Sequence, residues 1–109
     1  MLSQVYRLAR KEALALKNGT SVFTTLLSLR TTPSSRTQIA VSVSKKVAKR
    51  AVDRNRTRRR YYSAMEKLIP EIKTPAKIMI FPKKTTKAVL HKEIIEELRK
   101  ALDKAKLIS

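Results

Sequence analysis

The chain has 109 residues, the size of one domain with one core, and carries 26 Lys and Arg against 8 Asp and Glu, a net charge of +18. That balance points to a polyanionic partner, RNA or DNA before an anionic membrane, while a hydrophobic content of 42% separates the chain from a disordered basic tail. The lack of cysteine excludes disulfides, thiolate catalysis and cysteine-ligated zinc and fits a cytoplasmic setting, and apolar runs of four residues at most, Ala13–Leu16 and Ile78–Phe81, predict neither a signal peptide nor a membrane span.

In chain order, Leu2 to Leu16 reads as an amphipathic helix, with Val5, Leu8, Leu14 and Leu16 near helical spacing and Asn18-Gly19 as its stop. Thr20 to Leu29, rich in Thr, Val, Phe and Leu, predicts a strand, and Pro33-Ser34-Ser35 marks a turn within Thr31 to Thr37. Gln38 to Ser44 sets Ile39, Val41 and Val43 against Gln38, Ala40, Ser42 and Ser44, the pattern of a half-buried strand antiparallel to the one before it. A helix is expected from about Ala48 to Ile69, with Thr57, Tyr61, Ala64, Met65 and Leu68 on the packed face and Val52, Asn55, Arg56, Arg59 and Ser63 on the opposite one. Pro70 and Pro75 punctuate its exit. Lys77 to Phe81 predicts a short buried strand stopped by Pro82. His91 to about Lys106 predicts a closing helix with Ile94, Ile95, Leu98, Ala101, Leu102 and Ala105 as its apolar stripe.

This order predicts an α+β two-layer sandwich, a small mixed sheet with helices on one face, in the sequence α-β-β-(β)-α-β-α. The strand–helix–strand unit implies a parallel pair. The other sheet face would form a shallow cleft with the first helix.

The densest chemistry lies at 45–60. Nine of these sixteen residues are basic, Lys45, Lys46, Lys49, Arg50, Arg54, Arg56, Arg58, Arg59 and Arg60, against one acid, Asp53. Guanidinium forks match phosphate oxygens bidentately, so an arginine-rich segment favours nucleic acid. Asn55 between two arginines can address a base edge or a 2′-hydroxyl while its neighbours hold phosphates. Of the adjoining aromatics, Tyr61 has the phase of a core residue and Tyr62 that of a possible stacking surface.

The run Ala40-Val41-Ser42-Val43-Ser44-Lys45-Lys46, followed by Lys49-Arg50-Ala51 and Arg54-Asn55-Arg56 with Arg58 and Arg59, resembles the signature of the protein subunit of bacterial ribonuclease P. Arg7-Leu8, Ile78 to Phe81 and Glu97 to Lys104 resemble that family's first helix, fourth strand and closing helix more weakly. The resemblance implies an α-β sandwich with a left-handed βαβ crossover. It also implies a non-catalytic subunit of the endoribonuclease, a hydrolase, that removes the 5′ leader from precursor tRNA. The partners would be the catalytic ribonuclease P RNA, with Mg2+ at the RNA's active site and no organic cofactor, and the precursor tRNA leader; no obligate protein partner is expected. The RNA would meet Lys45, Lys46, Lys49, Arg50, Arg54, Asn55, Arg56, Arg58, Arg59 and Arg60, and the leader Tyr6, Arg7, Arg10, Lys17 and Phe23. The family usually has apolar residues where Thr57 and Arg60 stand, which shifts packing onto Tyr61, Met65 and Leu68, and it commonly presents first-helix phenylalanines that this chain lacks.

Protein-borne phosphodiester chemistry would need clustered carboxylates or an acid–base pair. Glu93, Glu96 and Glu97 do cluster, but on the last helix among lysines, where a solvated face accounts for them. His91, the single histidine, stands at the start of that helix, and Asp53 among arginines. No catalytic or metal-ligating residue is therefore expected. A ribosomal or other structural RNA-binding protein is the alternative reading, and an architectural DNA binder the third.

Overall fold

The structure is a computed structural model and describes residues 19–85 and 89–108. The expected first helix, with Tyr6, Arg7, Arg10 and Lys17, lies outside the described residues. The elements are β1 (Thr20–Phe23), β2 (Leu27–Pro33), β3 (Gln38–Val41), α1 (Ala51–Leu68), a 3₁₀ turn (Ile69–Glu71), β4 (Ala76–Pro82) and α2 (His91–Lys104).

Thr20 to Leu29 is two strands rather than one. Thr24 donates its backbone N–H to the Leu27 carbonyl at 2.9 Å, and its hydroxyl oxygen accepts the Leu27 N–H at 3.3 Å. A threonine thus makes the turn in a stretch without Gly, Pro, Asn or Asp. The expected turn at Thr31 to Thr37 is also shorter, since β2 runs on to Pro33, opposite Ala76 of β4. Just before β1, a Cβ on Gly19 would stand 2.4 Å from the Thr31 carbonyl oxygen, so the hairpin's close approach requires glycine there.

The sheet order is β1-β2-β4-β3. β3 does run antiparallel to β2, but it pairs with β4 instead, in parallel, with Ile39 beside Ile78 and Val41 beside Ile80. β4 inserts between them and pairs antiparallel with β2. Local alternation sets a strand's faces but not its neighbour, so it could not place β4 between β2 and β3. β3, though an edge strand, is buried rather than half-buried: Gln38 and Ala40 are covered along with Ile39 and Val41, and Ala40 packs with Met79 and Phe81 on the face away from the helices.

The main core lies between one sheet face and the two helices. Leu27, Leu29, Ile39, Ile78 and Ile80 from the sheet meet Tyr61, Met65 and Leu68 of α1 and Ile94, Leu98 and Leu102 of α2. Thr57, Tyr61, Ala64, Met65 and Leu68 are all buried, as the 3.6-residue period requires. Ala40 and Met79, with Phe81 against them, form a second small cluster on the opposite face. After α2, Lys106 takes a left-handed conformation, φ 62°, and Leu107 donates to the Leu102 carbonyl at 3.0 Å, a Schellman stop without glycine. This reversal buries Leu107 and Ile108.

Candidate nucleic-acid interface

The residues that leave β3 set up the basic surface. The Ser42 N–H donates to the Ile80 carbonyl at 2.9 Å, prolonging the parallel ladder, and Ser44 then turns the chain by accepting the N–H groups of Val47 and Ala48, each at 3.1 Å. Val43 and Ala48 are buried on either side of the turn. Lys45 and Lys46 are therefore held exposed at its tip, with Lys49 and Arg50 exposed on the approach to the helix.

α1 divides its basic residues by role. Asn55, Arg56 and Arg59 are exposed, on the face opposite Tyr61, Met65 and Leu68. Arg54 turns back, its guanidinium donating to the Ala48 and Lys49 carbonyls at 3.0 and 2.8 Å. These bonds brace the turn against the first helical residues, where Arg50 at the N-cap supplies no side-chain bond. Arg60 donates to the Val89 carbonyl at 2.8 Å and so ties α1 to the segment entering α2. Arg58 donates to the Asn55 Oδ1 one turn back. The ten residues expected to meet RNA thus form one contiguous region. Arg54 and Arg60 also stabilise the fold, which charge counting did not reveal, because their acceptors are main-chain carbonyls.

Tyr61 is 2% exposed, and its phenol is pushed up to about 12 by burial first and Glu97 next, with Arg60 opposing. Tyr62 is half-buried, and its hydroxyl accepts the Val41 N–H at 3.1 Å, pinning α1 to the exposed edge of β3. Its ring, with Val52, Asn55, Arg58 and Arg59, lines a surface cleft of about 370 Å³. On the other side of Arg59, a groove of about 320 Å³ is lined by Arg56, Arg59, Arg60, Ser63 and His91. His91 thus joins the basic region rather than standing apart at a helix start, a position set by how α2 packs on α1.

Phe23 is 64% exposed on the edge strand. The register aligns it with Ser28 and then Phe81 on the sheet face away from the helices. The Lys83 ammonium sits 5.7 Å from its ring centroid and donates to the Thr24 carbonyl at 2.7 Å. A core role for Phe23 is excluded. Among the described residues, no three His, Asp or Glu side chains stand close enough to hold a metal ion, and no helix is long and apolar enough to cross a membrane. Of the closing helix's acids, Glu97 acts on the same buried Tyr61 phenol as Arg60 of the basic segment. Glu71, by contrast, is paired with Arg99 in a two-pronged contact at 3.2 and 2.9 Å that holds its carboxyl below the usual range.

Comparison with known proteins points the same way. The family model for ribonuclease P matches residues 3–106. The ribonuclease P protein component of Rippkaea orientalis is 39% identical over 72 residues, covering 66% of this chain and 57% of that protein. That of Picosynechococcus sp. is 32% identical over 75 residues, 69% of this chain and 65% of that protein. The matched stretch thus spans less than two thirds of either relative. The Staphylococcus aureus RNase P protein structure superposes with a TM-score of 0.79 at 23% identity, covering 95% of this chain and 98% of that one.

Proposed function

Because the chain belongs to the ribonuclease P protein family, we propose that it assists a catalytic RNA in removing the 5′ leader from precursor tRNA. The observation that carries this reading is the exposed basic face formed by Lys45, Lys46, Lys49, Arg50, Arg56 and Arg59 on one braced turn and helix. Phosphates along a folded RNA would lie against this face, with Arg54 and Arg60 holding the surface in shape from beneath. The chemistry would belong to the RNA and its Mg2+ ions. The protein's part would be to neutralise phosphate charge where RNA segments converge, which lowers the magnesium needed to hold the active form.

The leader would pass over the sheet face away from the helices. There Phe23 offers an open ring beside Lys83, and Phe81 lies two strands further in. Single strands are held by such aromatic surfaces with a basic rim, at about 1 to 3 kcal/mol per stacked base. Phe23→Ala is expected to weaken binding of precursor tRNA by that amount and to leave mature tRNA nearly unaffected. Equal losses for both ligands, measured by fluorescence anisotropy, would remove Phe23 from the leader path.

The decisive test adds the purified chain to a minimal bacterial ribonuclease P RNA at low magnesium. Restored cleavage of precursor tRNA is expected. RNA binding without stimulation would favour the ribosomal or structural alternative.

A further inference from the structure

The cleft at Val52 and Tyr62 does not look like a phosphate clamp. Val52 is 47% exposed, an open aliphatic surface on a face otherwise occupied by Asn55, Arg56 and Arg59. It stands at helical spacing from Asn55, Arg59 and Tyr62, so the four side chains line one strip of α1. The Tyr62 hydroxyl is fixed by the Val41 N–H, so its ring is a wall of set orientation rather than a swinging side chain. At about 370 Å³ the cleft is in the size range of small-ligand sites. An aliphatic floor and a fixed aromatic wall suit the flat face of a nucleobase; phosphate would gain nothing from either.

The rim sets the base. A free asparagine amide pairs bidentately with adenine, donating to N7 and accepting from N6. Here the Asn55 Oδ1 already accepts from the Arg58 guanidinium. Asn55 keeps its two N–H donors and one Oδ1 lone pair, and Arg58 and Arg59 add donors only. A rim dominated by guanidinium donors fits the paired acceptors O6 and N7 of guanine better than the mixed N6 and N7 edge of adenine. We propose that the Val52–Asn55–Arg58–Arg59–Tyr62 cleft seats one unpaired guanine base of the RNA partner, with the guanidinium donors of Arg58 and Arg59 selecting guanine over adenine. This inference rests on α1 being an RNA-binding surface and adds a base-specific site to it.

The test measures anisotropy of the full chain with a uridine heptamer carrying one central guanosine, adenosine, abasic residue, inosine or 7-deazaguanosine. Guanosine is expected to bind about tenfold more tightly than adenosine, within the range of one bidentate base contact. Inosine keeps O6 and N7 and should retain that gain, and 7-deazaguanosine should fall to the adenosine level. Arg58→Ala removes one guanidinium from the rim and should move the preference toward adenosine; a melting curve checks its fold, and the base analogues test the native chain independently. Equal binding of all heptamers with a steep salt dependence would overturn the guanine site while keeping α1 as an RNA surface. Failure of every heptamer to bind at low salt would overturn both.

Discussion

Tyr61 is where a single ionisable side chain bears on stability. Its phenol is held neutral in the folded chain to about pH 12, against 10.0 for an ordinary tyrosine. The folded pKa is the higher one, so the stability it contributes is complete below pH 10 and is lost as pH rises through about 12. Over that window the loss is about 1.4 kcal/mol per pH unit for one proton. Tyr61→Phe keeps the ring in place and should flatten the alkaline fall in urea-melt stability; an unchanged fall would assign it to other groups. Tyr62, its neighbour in sequence, differs in kind. Its helical phase put it beside the basic face, as the sequence suggested, yet its hydroxyl serves the Val41 N–H at the sheet edge. Nothing in the pattern of apolar residues could disclose that bond, because it depends on how far β3 extends toward the helix.

At the scale of elements, α1 was legible and the sheet only partly so. Buried positions in α1 recur at 57, 61, 64, 65 and 68, which any amphipathic helix on a core must show. The expected start at Ala48 is three residues early, because Ala48 is buried in the preceding turn and its carbonyl is held by Arg54. The exchange of strand neighbours was not legible, since β3 and β4 are both short apolar runs and neither names its partner. The division among the arginines gives a direct experiment. Arg56→Ala with Arg59→Ala removes exposed charge alone and should lower the slope of log K against log salt for RNA binding by about 0.7 to 0.9 for each phosphate no longer neutralised. Its melting temperature should match or exceed the parent's, since charge repulsion falls. Arg54→Ala removes two bonds to main-chain carbonyls. It should cost about 1.5 to 3 kcal/mol in denaturant unfolding, the range for charged hydrogen bonds. Equal stability of the two variants would deny the bracing role.

For the whole molecule, a net charge of +18 on 109 residues means that the folded state repels itself. Raising NaCl from about 10 mM to about 300 mM shortens the screening length severalfold and should raise the melting temperature, the reverse of its effect on RNA affinity. A melting temperature that falls with NaCl would show that internal ion pairs, such as Glu71 with Arg99, outweigh the repulsion. The central place of β4 bears on synthesis as well as on shape. β2 and β3 are both made early, and each has β4 as its partner toward the middle of the sheet. Until Pro82 has been made, β3 has no strand to pair with and β2 has only β1. A nascent chain ending in the basic helix would therefore display its cationic face while its sheet is still open. Long-range pairing of this kind delays folding until the late strand arrives. A truncated chain ending at residue 75 should consequently lack the cooperative unfolding transition of the full protein, although it retains the whole basic segment.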